Sequence, residues 1–366
     1  MSSNIPALEG PALKILVLPG DGIGPEITDS AVTLLDTLNA AHGLDLSLDF
    51  YDVGLTSLAA HGTTLREEVY QRIGESDGVI LGPVSHYDYP PRTEGGINVS
   101  AELRIKLDLF ANIRPSRSRT GLSLLRRPMD LVIVRENTEG FYSDRNMYEG
   151  SGEFMPTPDL ALSVRKITAS ATERLARRAF DLARTRRRRV TAVHKANVLK
   201  LSDALFLRVV REVAAEYPDV ELREMIVDAT AAALVSRPDE FDVIVTTNMF
   251  GDILSDEAAE LSGSLGLAAG LNVGESVAVA QAQHGSAPDI QGLGIANPTS
   301  LILSAGMLLD WYGRRAGRQP LIDAAADLEA AVDRVLDDPG TRTRDLGGDA
   351  TATVFTDAVR VALGTV

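Results

Sequence analysis

The chain of 366 residues contains no cysteine. Disulfide bonds, thiolate metal sites and cysteine nucleophiles are therefore excluded, and any metal must be held by oxygen or histidine. Aromatic residues make up 5% and tryptophan occurs once. Positive charge is in deficit, with a formal net charge of −15. Nucleic acid as a partner is therefore not expected, because phosphate binding needs a net basic surface. The one basic run, Arg184 to Arg189, falls between a helical pattern and a strand, and reads as a solvated connection. No apolar run reaches the 18 or so residues that span a bilayer, and the N-terminus lacks a charged start followed by an apolar core. A soluble, cytoplasmic protein without a membrane partner is the expectation.

What is present is ordinary globular composition, 45% hydrophobic and 24% charged, over a length that calls for two domains. After a small-residue, polar lead-in over 1–12, strand-like runs alternate with helix-like ones, the pattern of an α/β sheet protein. Strands are expected over 14–18, 46–53, 78–81, 130–134, 190–194, 220–227, 241–246 and 276–280. Helices are expected over 23–41, 169–183, 202–217, 299–315 and 321–336. A stretch rich in Pro, Gly and Tyr, 142–158, interrupts this alternation and reads as an irregular functional segment or interaction arm.

The polar motifs fall just past strand ends. Asp252 and Asp256 follow the apolar run 241–245; on a helix their i,i+4 spacing stacks both carboxylates on one face. Hard divalent ions such as Mg2+ and Mn2+ prefer such oxygens, and Asp228, after Met225-Ile226-Val227, is a candidate third ligand. Each acid alone also reads as a surface or helix-capping residue. Arg104, Arg114 and Arg135 carry guanidinium forks that bind carboxylates bidentately, so their convergence would suit a di- or tricarboxylate; singly each reads as a surface ion-pair residue. Tyr142 becomes a proton donor only if positive charge lowers its phenol pKa from about 10. Lys195, at a strand end, becomes a base only beside cations or metal. The run Pro19 to Glu26 opens a helix with Pro25 in its first turn, but its glycine spacing does not fit G-x-G-x-x-G, so a Rossmann fold is not expected.

Taken in order, PGDGIGPE (19–26), LDLFANIRP (107–115), VRENTEGFY (134–142), HKANVL (194–199), GDILSDE (251–257), HGSAPDI (284–290), GIANP (294–298) and DLGGDAT (345–351) resemble the metal-dependent β-decarboxylating dehydrogenases. That family includes isocitrate, homoisocitrate, isopropylmalate and tartrate dehydrogenases, and the resemblance covers nearly the whole chain from Lys14. It implies a non-Rossmann two-domain α/β fold. One domain is discontinuous and binds cofactor (1–109 plus 264–366); the other holds substrate, metal and the dimer interface (110–263) and includes a clasp arm at about 142–165. It implies a homodimer in which Lys195 and Asp228 reach the neighbour's active site while Tyr142, Asp252 and Asp256 serve their own.

The same resemblance implies NAD-dependent oxidative decarboxylation of a 3-substituted malate with Mg2+ or Mn2+. Arg104, Arg114 and Arg135 would bind the two malate carboxylates, Lys195 would take the C2 hydroxyl proton, and Tyr142 would protonate the enolate. Asp228, Asp252 and Asp256 would hold the metal. Asn197 would lie near the nicotinamide, and His284, Gly285, Ser286, Ala287, Pro288, Asp289 and Asn297 would hold the adenosine half. Asp289 facing a ribose would repel a 2′-phosphate and so favour NAD. Asn98 and Ser100, before Arg104, can hydrogen-bond a polar side group, pointing to isocitrate or a homologue such as homoisocitrate. Isopropylmalate, tartrate or D-malate are the alternatives, as is a noncatalytic regulatory subunit. Glu102 would repel a substrate carboxylate if it points inward. Gln281 stands where many relatives have glutamate, which leaves nicotinamide-side contacts there open.

Overall fold

The computed structural model describes residues 12–142 and 146–364. Ten strands form one mixed sheet: β1 (Leu13–Leu18), β2 (Leu46–Phe50), β3 (Gly78–Leu81), β4 (Ala111–Arg117), β5 (Asp130–Glu136), β8 (Arg189–His194), β9 (Glu221–Ile226), β10 (Val243–Thr246), β11 (Leu271–Val273) and β12 (Ala278–Gln281). Their order across the sheet is β2-β1-β3-β12-β11-β4-β5-β10-β8-β9. Pairing is parallel on both flanks and antiparallel in the middle, where β12 meets β11, β11 meets β4 and β4 meets β5. A separate two-stranded hairpin joins β6 (Glu153–Thr157) to β7 (Leu160–Ser163).

Among the described residues eleven α-helices accompany the strands: α1 (Gly24–His42), α2 (Gly54–His61), α3 (Glu67–Gly74), α4 (Val99–Lys106), α5 (Ala169–Arg184), α6 (Ser202–Ala214), α7 (Val227–Ser236), α8 (Asn248–Ser262), α9 (Thr299–Ala316), α10 (Gln319–Asp337) and α11 (Ala352–Leu363). They cover both faces of the sheet. Leu13, Ile15 and Val17 of β1 pack with α1, α9, α10 and α11, whereas Leu16 and Leu18 pack with α3 and α4. Strands buried on both sides lose the polar alternation and read as continuous apolar runs, which is why β1, β3 and β10 stand out in the sequence. The largest core group joins the two ends of the chain, Leu13 to Leu44 with Leu267 to Leu363, while two others lie wholly within residues 110–258.

Four strands escape the sequence reading, as do helices α2, α3, α4, α7 and α11, and for the strands the reason is physical. β4 alternates Asn112, Arg114 and Ser116 with Ile113 and Pro115, and all these polar side chains are buried or nearly so in place of the expected solvent. β11 has three residues, too few for a periodicity. The stretch 142–158, expected to be irregular, contains β6, and β6 with β7 exposes every residue, so no buried face imprints a pattern. The basic run is the expected connection, joining α5 to β8 with Arg184, Arg187 and Arg188 exposed, and it is also paired. Arg184 grips Asp219, Arg186 holds Asp130 and Asp242, Arg187 holds Asp130, and Arg189 holds Glu221, so the run clamps strand ends together.

Candidate active site

The carboxyl ends of β5 and β10 and the start of α8 gather five of the expected residues. α8 begins at Asn248, so Asp252 and Asp256 lie one turn apart on it. Arg114, buried on β4, donates from one terminal nitrogen to Asp252 Oδ1 (3.1 Å), Asp256 Oδ1 (3.1 Å) and Ser255 Oγ (2.7 Å). Arg135, 2% exposed on β5, also pairs with Asp252. Its remaining donors reach Tyr142 Oη (3.3 Å), Asn248 Oδ1 (2.8 Å) and the Asn248 carbonyl (3.0 Å). Gly251 makes this packing possible, since an added Cβ would lie 2.6 Å from Arg135 Cγ. Burial, with Arg135 close by, draws the Arg114 pKa down to about 10, still cationic at neutral pH. Burial raises the Asp256 carboxyl above its ordinary value against the pull of Arg114. Arg104, half-buried on α4, adds its field to Arg114. Three guanidiniums and two carboxylates thus share this end of the sheet.

Lys195 and Asp228 lie elsewhere in the same chain. They form an ion pair with one another, which holds the Asp228 carboxyl below its usual range. Lys195 follows β8, and β10 stands between β8 and the Arg135 strand. Asp203 fixes the lysine loop by accepting from its backbone N–H at 2.6 Å, and Arg165 ties Asp203 to Thr247 at the head of α8. Phe141 and Phe250 flank the Arg165 guanidinium at 5.9 and 5.2 Å. Asn197 is exposed on the same loop.

The 284–289 loop follows β12 and packs on the Pro19 to Glu26 loop after β1. Ile23 N donates to Ser286 O (2.8 Å), Ser85 and Ser286 share a hydroxyl hydrogen bond (2.7 Å), and Gly22 has no room for a side chain against Ser286. Ala287 takes a left-handed backbone, φ 39°, and exposes Pro288 and Asp289. Burial lowers the His284 pKa, and its Nε2 is enclosed without a hydrogen-bond partner among the described residues. Asn297 caps Thr299 N (3.0 Å) and donates to Asp345 (2.9 Å), drawing the DLGGDAT turn against this loop. Four strands separate β12 from β8; at about 4.8 Å per step Asn197 and the His284 loop of one chain stand roughly 24 Å apart across the sheet.

Near the arginines, Asn98 is the N-cap of α4, its Oδ1 accepting from Ala101 N at 3.1 Å. Glu102 is turned into a bidentate pair with Arg92 (3.0 and 3.1 Å), and Arg92 holds its carboxyl below the ordinary range, so the expected repulsion of a substrate carboxylate is cancelled within the fold. Ser100 donates to Gln281 Oε1 (3.0 Å), and Gln281, Asn272 and Asn112 continue a chain of amides to Arg114 Nε. Asn248, Arg165, Asp203, Asn112 and Asn272 were not singled out in the sequence. Asn112 sits inside a quoted motif and Asn248 just before another, whereas nothing local distinguishes the other three.

Asp252 and Asp256 offer hard oxygens on half-exposed side chains and so fit Mg2+ or Mn2+. Among the described residues of one chain no third carboxylate or histidine joins them. Two protein ligands leave coordination positions for water, substrate or a further acid.

Fold and site together define an α/β protein with an arginine and carboxylate centre at the carboxyl ends of its strands, the place where open α/β sheets bind ligands. A family model described as isocitrate/isopropylmalate dehydrogenase matches residues 14–360. The isocitrate/homoisocitrate dehydrogenase of Thermus thermophilus is 44% identical, covering 96% of this chain and 99% of that protein. The 3-isopropylmalate dehydrogenase of Archaeoglobus fulgidus is 41% identical over 94% of this chain and 98% of its own. The crystal structure of isocitrate dehydrogenase from Methylococcus capsulatus superposes with a TM-score of 0.83 at 40% identity, over 96% of this chain and 99% of that one. The chain belongs to the isocitrate/isopropylmalate dehydrogenase family; it is an oxidoreductase, a decarboxylating dehydrogenase.

Proposed function

We propose that this dehydrogenase performs the NAD-dependent oxidative decarboxylation of a 3-substituted malate, with isocitrate or a homologue such as homoisocitrate as substrate. The observation that carries the reading is the convergence of Arg114 and Arg135 on Asp252 and Asp256 beside Tyr142. In the absence of substrate the acids neutralise the guanidiniums. A divalent ion drawing on the same acids would release Arg114 and Arg135, with Arg104, to grip the two malate carboxylates. Lys195, supplied by a second copy, takes the C2 hydroxyl proton. NAD+ and the ion, when bound, supply hydride acceptance and polarisation of the C2 oxygen. Tyr142 Oη, within reach of Arg135, gives its proton to C3 after CO2 departs. His284 to Asp289 and Asn297 hold the adenosine half, Asn197 faces the nicotinamide, and Asp289 favours NAD over its 2′-phosphate.

A polar substrate side group is supported by Ser100. Its hydroxyl donates to Gln281 here and can turn that proton to an acceptor on the substrate, and Gln281 sets no negative charge beside it. The neutralised Glu102 removes another obstacle to an anionic side group.

A homodimer with shared sites is supported by surface chemistry. Val198, Leu201, Val235, Met249 and Ile253 expose apolar side chains around the Lys195 loop, α7 and α8, and Phe154, Met155 and Leu160 do so on the hairpin. An isolated two-stranded hairpin is marginal in water and gains stability from a partner surface. The division into 1–109 plus 264–366 and 110–263 is supported by the strand order, with β1, β2, β3, β11 and β12 on one side and β4, β5, β8, β9 and β10 on the other.

The test is a kcat/KM panel of isocitrate, homoisocitrate, isopropylmalate, D-malate and tartrate with Mn2+ and NAD+. Isocitrate or homoisocitrate should lead. Preference for isopropylmalate would overturn the substrate assignment, and no turnover on any of them would overturn the reaction.

A further inference from the structure

A cavity on the other side of the central strands is left unused by this chemistry. On β4, Asn112 and Arg114 turn toward the acidic pair, whereas Ile113, Pro115 and Arg117 line the opposite face, as does Leu271 of β11. Between that face and helices α5, α9 and α10 lies a cavity of about 560 Å³, within the size range of small-molecule sites. Leu182, Leu303, Met307, Trp311 and Ile322 give it an apolar wall.

Most charged groups on the wall are closely matched. Arg117 and Arg119 hold Asp333, Arg186 holds Asp130 and Asp242, and Arg314 holds Asp310. Arg178 of α5 differs. Among the described residues its guanidinium makes no hydrogen bond or close ion pair, and its Nε is shut off from solvent with no partner. Asp181, three residues further along α5, accepts from Tyr217 Oη at 2.9 Å. The fields of Asp181 and Glu275 do not offset burial, which holds the Arg178 pKa below its usual value. A cation half-withdrawn from water without a close counter-ion is destabilising, and an anion placed beside it would form a charge-assisted hydrogen bond.

We propose that this cavity is a second ligand site, separate from the malate site, for a small organic anion with an apolar or aromatic body. Arg178 takes the anionic group, and Trp311 and Met307 take the body. The β4 strand is a wall of both sites, so the two ligands lie on opposite faces of one sheet and do not compete.

Trp311 is the single tryptophan of the chain and serves as the reporter. The probe is 8-anilinonaphthalene-1-sulfonate, an aromatic body with one sulfonate, read by energy transfer from Trp311. Transfer should saturate and should persist with saturating isocitrate, Mn2+ and NAD+. Arg178→Met should weaken sulfonate binding about tenfold or more while leaving binding of uncharged N-phenyl-1-naphthylamine unchanged. Ala325→Phe, which fills the cavity from α10, should abolish transfer from both probes. Circular dichroism and thermal unfolding verify that the variants are folded; Arg178→Met, losing an unmatched charge, is expected to be at least as stable as the parent. Absence of saturable transfer, equal sulfonate affinity in Arg178→Met, or displacement of the probe by isocitrate overturns the proposal.

Discussion

Asp252 accepts from both Arg114 and Arg135 on one oxygen, so a single carboxylate holds two guanidiniums together. Lys195 has no part in that cluster, and its charge is committed to Asp228. Removing it should therefore leave substrate binding nearly intact while deleting proton transfer. Lys195→Met is expected to lower kcat by about a hundredfold or more, with KM for the 2-hydroxy acid changed less than about threefold. Steady-state kinetics decide this, and a rise in KM at constant kcat would reassign Lys195 to binding. Asp289 is exposed beside the left-handed Ala287. Asp289→Ala should narrow the preference for NAD+ over NADP+ by about tenfold, in line with removal of one close repulsion. Unchanged discrimination in paired kinetics would clear Asp289 of that role.

At the scale of the element, α8 and α4 present their side chains through backbone details. Gly251 gives Arg135 a flat surface on α8. A methyl there must displace the Arg135 stem, because the neighbour on the other side is the sheet itself. Gly251→Ala should raise the substrate KM about tenfold or more even though alanine is the better helix former by about 1 kcal/mol. Substrate titration, with a thermal melt alongside, separates the two effects. Asn98 starts α4 by capping Ala101. Asn98→Ala should cost about 1 kcal/mol of stability and Asn98→Asp, which keeps the acceptor, much less. Equal loss in the two variants would show that the cap is not the source.

For the whole molecule, the decisive question is which chain completes which site. Within one chain β10 separates the Lys195 loop from Arg135, and the 284–289 loop is farther still. Two inactive variants, Lys195→Met and Asp252→Asn, should therefore complement each other. In a mixed dimer one site receives both intact residues and the other receives neither, so an equal, randomly reassorted mixture, about half of it hybrids, should regain about a quarter of parental activity. A refolded mixture that stays inactive although hybrids form would place both residues in one chain's site. Ile253→Asp, on the exposed face of α8, should give a monomer by sedimentation and abolish turnover.

The motifs at strand ends were legible because each is a contiguous run whose position follows from the apolar strand before it. Asp252 and Asp256 could be set on one helical face from their spacing alone, and Arg114 and Arg135 could be named as carboxylate binders from guanidinium chemistry. Tertiary structure decided what surrounds them. Glu102 meets Arg92 ten residues away, and Ser100 meets Gln281 from the far side of the chain. Gln281 and Asn272 connect to Arg114 only because β12, β11 and β4 are neighbours in a sheet whose order does not follow the sequence. Local pattern specifies helix, strand and turn because those hydrogen bonds close over a few residues. Which charges are matched, and which one is left over in a cavity as with Arg178, depends on contacts between distant segments, and no local pattern encodes them.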